Sequence, residues 1–125
     1  MLKKQRIIWI DDQRNPKDFL NAIIPNVTNA EIVWLKSYRE WVVWALTNWF
    51  GIHNDNYEDY FCLDHDLGDF NTDGVEYTGS DVANDIINDI VKYNKTLPHY
   101  ECHSTNPAGR ENILSKFETY KKYNL

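Results

Sequence analysis

The sequence is poor in the features that announce a specialised class of protein. It has only two cysteines, Cys62 and Cys102, too few for a disulfide scaffold. Both lie in apolar runs and read as small core residues of a reduced, intracellular and so cytoplasmic protein. Spacing alone does not say whether they meet. No apolar run approaches the roughly 20 residues of a membrane-spanning helix. Met1-Leu2-Lys3-Lys4 is not followed by the apolar block of a signal peptide. Positive charge is scarce as well: 13 Lys and Arg against 19 Asp and Glu leave a net charge of −6. That balance excludes broad DNA binding, which needs a basic face, and leaves room only for a local basic pocket. Glycine-rich phosphate loops, paired CxxC zinc ligands and the Gly-x-Ser-x-Gly elbow are all missing. No repeat, low-complexity tract or linker interrupts the chain, so residues 1–125 read as one domain.

What is present belongs to a folded enzyme-sized unit. Hydrophobic residues make up 42% and charged residues 26%, which excludes disorder. Five Trp and eight Tyr exceed what a core of this size needs, so some aromatics are expected to face a ligand.

Four short apolar runs alternate with helical patterns. Arg6-Ile7-Ile8-Trp9-Ile10 reads as a buried strand. Asn15-Pro16 then supplies an N-cap and a first helical residue, with Phe19, Leu20 and Ile23 inside and a stop before Pro25. Ala30 to Leu35 is the second strand. Ser37-Tyr38-Arg39-Glu40 has the spacing of a capping box. Tyr38, Trp41, Val42, Ala45, Leu46 and Trp49 follow at helical spacing, with Trp44 off that stripe. Tyr60 to Leu63 is the third strand, and Asp66 to Tyr77 reads as a long glycine-bearing loop. Thr78-Gly79-Ser80-Asp81 opens a helix with Val82, Ala83, Ile86, Ile87, Ile90 and Val91 on its apolar face. Pro98 to Cys102, the least hydrophobic strand, reads as an edge. Asn106-Pro107 repeats the helix start, with Ile113, Leu114, Phe117 and Tyr120 lining the last helix, and Lys121-Lys122 suit its C-terminus. Strands alternating with helices imply a parallel sheet with helices on both faces.

In such a sheet all strand C-termini share one edge, where ligands bind. Asp11-Asp12, Asp64-His65-Asp66 and His103-Ser104 all fall there. Neighbouring carboxylates repel, so they share a proton or hold a cation. Hard oxygen donors suit Mg²⁺, which makes Asp11, Asp12 and Asp64 a natural trio; otherwise one of the Asp pair caps the following helix. Imidazole titrates near neutrality, so His65 and His103 are candidates for general acid and base, or else structural hydrogen-bond partners. Arg14 and Arg110 follow strand ends and can clamp phosphate, or sit in surface salt bridges. The helix start at Asn106-Pro107-Ala108-Gly109 offers backbone N–H groups to an anion. Asp69-Phe70-Asn71-Thr72-Asp73-Gly74 matches the first half of an EF-hand loop. Ser80 stands where the twelfth-position Glu belongs and no helix precedes it, so the segment reads as a turn or lid. His53 and His99 have no companion ligands in sequence.

Three blocks, Trp9-Ile10-Asp11-Asp12-Gln13-Arg14, Leu63-Asp64-His65-Asp66-Leu67-Gly68 and His103-Ser104-Thr105-Asn106-Pro107-Ala108-Gly109-Arg110-Glu111-Asn112, together with Thr78-Gly79-Ser80-Asp81, resemble in set and order the cyclic-phosphate processing receiver (cREC) domains. The resemblance covers nearly the whole chain. It implies a receiver-like, flavodoxin-like α/β three-layer sandwich with a mostly parallel four-stranded sheet, the fifth receiver strand and its Lys being absent. It implies Mg²⁺ held by Asp11, Asp12 and Asp64, with Asp64 also at the receiver phosphoacceptor position and Ser104 at the Ser/Thr position. The missing strand weakens ordinary phosphorelay signalling, and the added histidines and arginines look like equipment for a phosphate ester. The expected activity is Mg²⁺-dependent hydrolysis of a cyclic phosphate on an RNA end or a cyclic nucleotide. Asp64, His65, His103 and Asp66 are its expected catalytic residues. Arg14, Ser104, Asn106, Gly109 and Arg110 are its expected phosphate contacts. Two rivals stand beside it: a module that binds a nucleotide without turning it over, and a stand-alone receiver phosphorylated on Asp64.

Overall fold

The computed structural model describes residues 3–23, 29–52 and 56–124. Its elements run β1 (Lys4–Ile10), α1 (Pro16–Ile23), β2 (Glu31–Leu35), α2 (Tyr38–Asn48), β3 (Tyr57–Leu63), β4 (Asp66–Phe70), β5 (Glu76–Thr78), α3 (Gly79–Tyr93), β6 (His99–Cys102) and α4 (Pro107–Asn124). Strands β2, β1, β3 and β6 lie in that order in one wholly parallel sheet. This is a receiver-like, flavodoxin-like arrangement. The fourth sheet strand, β6, is an edge, as its polarity predicts. The parallel sheet has no fifth strand among the described residues.

Register is what matters for function. Ile10 pairs with Leu35 on one side and Leu63 on the other, and Leu63 pairs with Cys102, so the strands end level. The ladder then continues one rung further. Asp11 N donates to Leu35 O at 3.1 Å, Asp64 N to Ile10 O at 2.9 Å and His103 N to Leu63 O at 3.1 Å. Asp11, Asp64 and His103 therefore sit in a row across three adjacent strands, fixed by backbone hydrogen bonds.

One sheet face carries the main core. Ile8, Ile10, Phe61 and Leu63 pack there with Trp41 and Ala45 of α2 and its C-cap Trp49, Val82, Ala83, Ile86 and Ile90 of α3, and Ile113 and Phe117 of α4. Trp41 and Trp49 meet Phe61 edge-on, at centroid distances of 5.7 and 5.4 Å, the arrangement aromatic quadrupoles favour. Ile7, Trp9 and Cys62 form a smaller cluster on the opposite face. The right-handed rule for parallel crossovers puts α1 on that face, because the chain steps one way from β1 to β2 and the other way to β3. The apolar side chains expected from Leu20 and Ile23, and the stop before Pro25, lie outside what is described. Neighbouring rungs place Cys62 and Cys102 in different clusters, and both are free thiols. Burial pushes the Cys62 thiol up to about 12, so it is an inert core residue. No helix among the described residues is long and apolar enough to cross a membrane.

Three expectations need correction. Residues 66–77 are not a loop: β4 and β5 form an antiparallel hairpin with an irregularity between Asp66 and Asp69. Its sequence holds three Asp and two Gly, yet Leu67 is buried in the core, and that packing overrides weak strand propensity. The EF-hand-like residues make its tip. There Asn71 Oδ1 accepts from Asp73 N and Val75 N, and Gly74 has φ +78°, so the segment is a turn. In α2 the buried face is Trp41, Ala45 and Trp49, whereas Leu46 is 64% exposed and Trp44 is half-buried. Trp44 covers Arg6, whose guanidinium lies between the Trp44 and Tyr57 rings and pairs with Asp59 at 2.7 Å. Third, the α2 capping box is offset. Ser37 Oγ accepts from Glu40 N, but Glu40 reaches back to Lys36 N, not to Ser37. The box at α3 closes fully, with Thr78 and Asp81 capping each other.

Candidate active site

The site grows from the level strand ends. It lies beside β1, with β2 on one side and β3 on the other, the switch point at which open α/β sheets bind ligands. Asp11 lies at its floor, 1% exposed. One carboxylate oxygen accepts from Gln13 N and Arg14 N, at 2.9 and 3.0 Å. The other lies 2.8 Å from His103 Nε2. Two indoles hold the same loop: Trp34 donates to Asp11 O and Trp9 to Arg14 O. The tryptophan surplus is thus spent on this loop, the core and Arg6 rather than on a ligand.

Asp11, Asp12 and Asp64 each offer an oxygen, and these atoms lie within 4.8 Å of one another. Burial pushes the Asp11 carboxyl up, but the His103 hydrogen bond and the Arg14 and Gln13 amides outweigh it and hold it below its ordinary value. Asp64 goes the other way. Burial and then the Asp11 charge raise it, and His103, the His65 amide and Arg14 offset them only in part. Asp12 is raised by burial and by the charges of Asp11, Glu76 and Asp66. Three hard oxygen donors this close together, two of them raised, fit a divalent cation such as Mg²⁺. Arg14 partly balances them, its Nη1 lying 3.5 Å from Asp11 and 3.9 Å from Asp64 while donating to His103 O.

The two histidines differ. His103 is locked in place: its side chain is 4% exposed, its ring stacks on Trp9 at 4.0 Å, and its Nε2 is engaged with Asp11. Nε2 acts as the donor, and the buried Nδ1 has no hydrogen-bond partner among the described residues. His65 is more open, with Nδ1 2.9 Å from Asp66 Oδ1. Asp66 in turn accepts from Asn106 Nδ2 at 3.4 Å, tying the start of β4 to the start of α4.

The α4 start is more self-contained than its sequence implies. Asn106 N donates to Ser104 Oγ, Gly109 N to Asn106 Oδ1 and Arg110 N to Asn106 O, while Pro107 has no N–H. The Arg110 side chain lies nearby, Nε donating to Cys102 O. Gly109 is needed for contact: a Cβ there would lie 2.3 Å from His65 Cγ. Gly79 does the same for α3, where a Cβ would meet Asp64 O at 2.0 Å. Every sequence-predicted site residue thus falls at this edge. His99 does not; it stacks on Tyr60, while His53 lies outside the described residues.

Compared with protein-family models, the cyclic-phosphate processing receiver domain matches residues 6–119. The chain belongs to that family. In this cyclic-phosphate processing receiver domain the matched span runs from β1 through most of α4 and contains every residue of the site. Comparison with curated proteins and with solved structures found no match. Sequence reasoning missed the hairpin's part in the site. Glu76 accepts from Gly68 N, and Gly68, at φ +64°, is so close to Asp12 that a Cβ would lie 3.2 Å from its carboxylate. The available signal was Gly68 itself, placed just after a strand end.

Proposed function

We propose that this domain processes a cyclic phosphate in a Mg²⁺-dependent reaction, opening it by hydrolysis on an RNA end or a cyclic nucleotide. The observation that carries this reading is the convergence of Asp11, Asp12 and Asp64 within one cation's reach, beside the His65–Asp66 pair on the same strand end. Asp11, Asp12 and Asp64 would hold the ion. When bound, Mg²⁺ supplies charge to polarise a phosphoryl oxygen and activate water. His65 moves protons at Nε2, with Asp66 fixing its tautomer through Nδ1. His103 serves the reaction through Asp11, holding its second oxygen; its burial makes it a poor proton carrier. Arg14 and Arg110 steady phosphate charge, helped by Ser104 and the turn from Asn106 to Gly109.

A second reading, a module that binds the phosphate without turnover, is favoured by one observation. Only one of the two expected proton carriers is accessible, since the His103 side chain is 4% exposed. Incubation with RNA ending in a 2′,3′-cyclic phosphate and with a panel of cyclic nucleotides, in Mg²⁺ or EDTA and read by mass, separates the two. Mg²⁺-dependent opening that Asp64→Ala abolishes supports the first reading. Tight binding with every ligand recovered intact supports the second.

A further inference from the structure

The hairpin has two faces with different fates. Asp69 and Tyr77 are cross-strand partners, so their side chains share a face. That face is docked: Tyr77 stacks on Tyr38 at 4.3 Å, and Asp69 accepts from Arg39 N while lying 3.7 Å from its Nε. Phe70 O also accepts from Arg39, so the hairpin is pinned to the first turn of α2. Phe70 and Glu76 are the next pair and, by strand alternation, point the other way. Glu76 on that second face reaches the Gly68 amide, and its charge acts on Asp12. Phe70 shares this site-side face, and it is 51% exposed.

We infer that Phe70 is a stacking platform for a nucleobase, so that the substrate class is a nucleoside cyclic phosphate recognised through its base as well as its phosphate. The inference rests on the proposed function and deepens it. Spacing supports it: Gly68 adjoins the Asp12 carboxylate, and Phe70 lies two residues on, roughly 6–7 Å along a strand. That is about the span from a ribose phosphate to its base. An aromatic ring held on a docked hairpin offers a base a flat face without a large ordering cost, and every base has a π-face to match it.

The test compares adenosine 2′,3′-cyclic phosphate with the base-free 1-O-methylribose 2,3-cyclic phosphate. Calorimetry in Mg²⁺ gives affinity, and KM replaces it for any ligand turned over. Wild-type protein is expected to favour the nucleotide about tenfold, in line with single-base stacking. Phe70→Ala should erase that preference while leaving the base-free ligand unchanged, and Phe70→Trp should keep it. A short RNA with the same end, run alongside, tells whether the free nucleotide or the RNA terminus is preferred. Equal binding of both ligands by wild type, or an undiminished preference in Phe70→Ala, overturns the platform and leaves the proposed function standing. Binding of none of the three ligands overturns the platform, and the proposed function falls with it only if the panel of cyclic nucleotides is neither bound nor opened either.

Discussion

Gly109 lies against the face of His65 so closely that a β-carbon would sit 2.3 Å from Cγ and 2.6 Å from Nδ1. The first turn of α4 is therefore the wall that sets the imidazole's position, with Asp66 holding its Nδ1 from the side. Gly109→Ala should push the ring from that place. Overpacking of this kind costs about 1–3 kcal/mol, so a lower melting temperature and a larger proportional loss of turnover are expected. Gly79→Ala should be worse, because the atom it meets, at 2.0 Å, is the backbone oxygen of Asp64 and cannot rotate aside. Thermal melts of the two variants, ranked against wild type, check the order.

His65 and His103 should separate cleanly by assay. His103→Ala removes the partner of a buried Asp11 oxygen. Partners of metal ligands are typically worth about 10–100-fold in metal affinity. Mg²⁺ affinity by calorimetry should fall by that order, with partial rescue in His103→Gln. His65→Ala should leave Mg²⁺ affinity near wild type and abolish turnover. Equal Mg²⁺ affinities for wild type and His103→Ala would contradict the role given to His103.

Arg14 stands beside the carboxylates that would hold the ion, so its charge competes with metal and assists phosphate. Arg14→Gln should bind Mg²⁺ several-fold more tightly and phosphate-bearing ligands several-fold more weakly. Changes of the same sign for both ligands would rule out this dual placement.

Acidity predicts a trade of stability against function. Asp64 lies above its ordinary value of 3.8 through burial and the Asp11 charge. A carboxyl raised in the folded state favours folding while protonated, and that contribution is lost as pH rises through the folded value. In EDTA the metal-free protein should therefore lose stability through Asp64 as pH climbs above 3.8. Asp11, lowered instead, contributes in the opposite sense, its stabilisation fading as pH falls below its ordinary range. At pH 7 in EDTA, Asp64→Asn should melt higher than wild type. Adding Mg²⁺ should raise the wild-type melting temperature and leave the variant nearly unmoved. An Asp64→Asn protein that melts lower in EDTA would refute the electrostatic account.

Much of this was legible in the chain because its signals are local. Apolar runs ending in Asp11-Asp12, Asp64 and His103, separated by helical stripes, dictate a parallel sheet whose C-terminal edge collects those residues. The hairpin was not legible. Asp66 to Thr78 reads as turn material residue by residue, and only the burial of Leu67 and the stacking of Tyr77 on Tyr38 make it strand. The difference between the histidines was equally hidden, since it depends on Trp9, a residue 94 positions from His103 in sequence yet stacked on its ring. Gly109 looked like part of an anion-binding helix start, and its contact with His65 exists only once α4 has packed.

The extra rung of hydrogen bonds beyond β1, β3 and β6 makes the sheet a ruler for the chemistry. Adjacent strands are separated by about 4.8 Å whatever their side chains, so the spacing of Asp11, Asp64 and His103 is inherited from backbone geometry. Drift in the surrounding loops leaves that spacing alone. The adjustable dimension is side-chain length, and Asp→Glu adds one methylene, about 1.5 Å of reach. Descendants of this site can retune the reach of its carboxylates by such exchanges while the spacing along the edge stays constant.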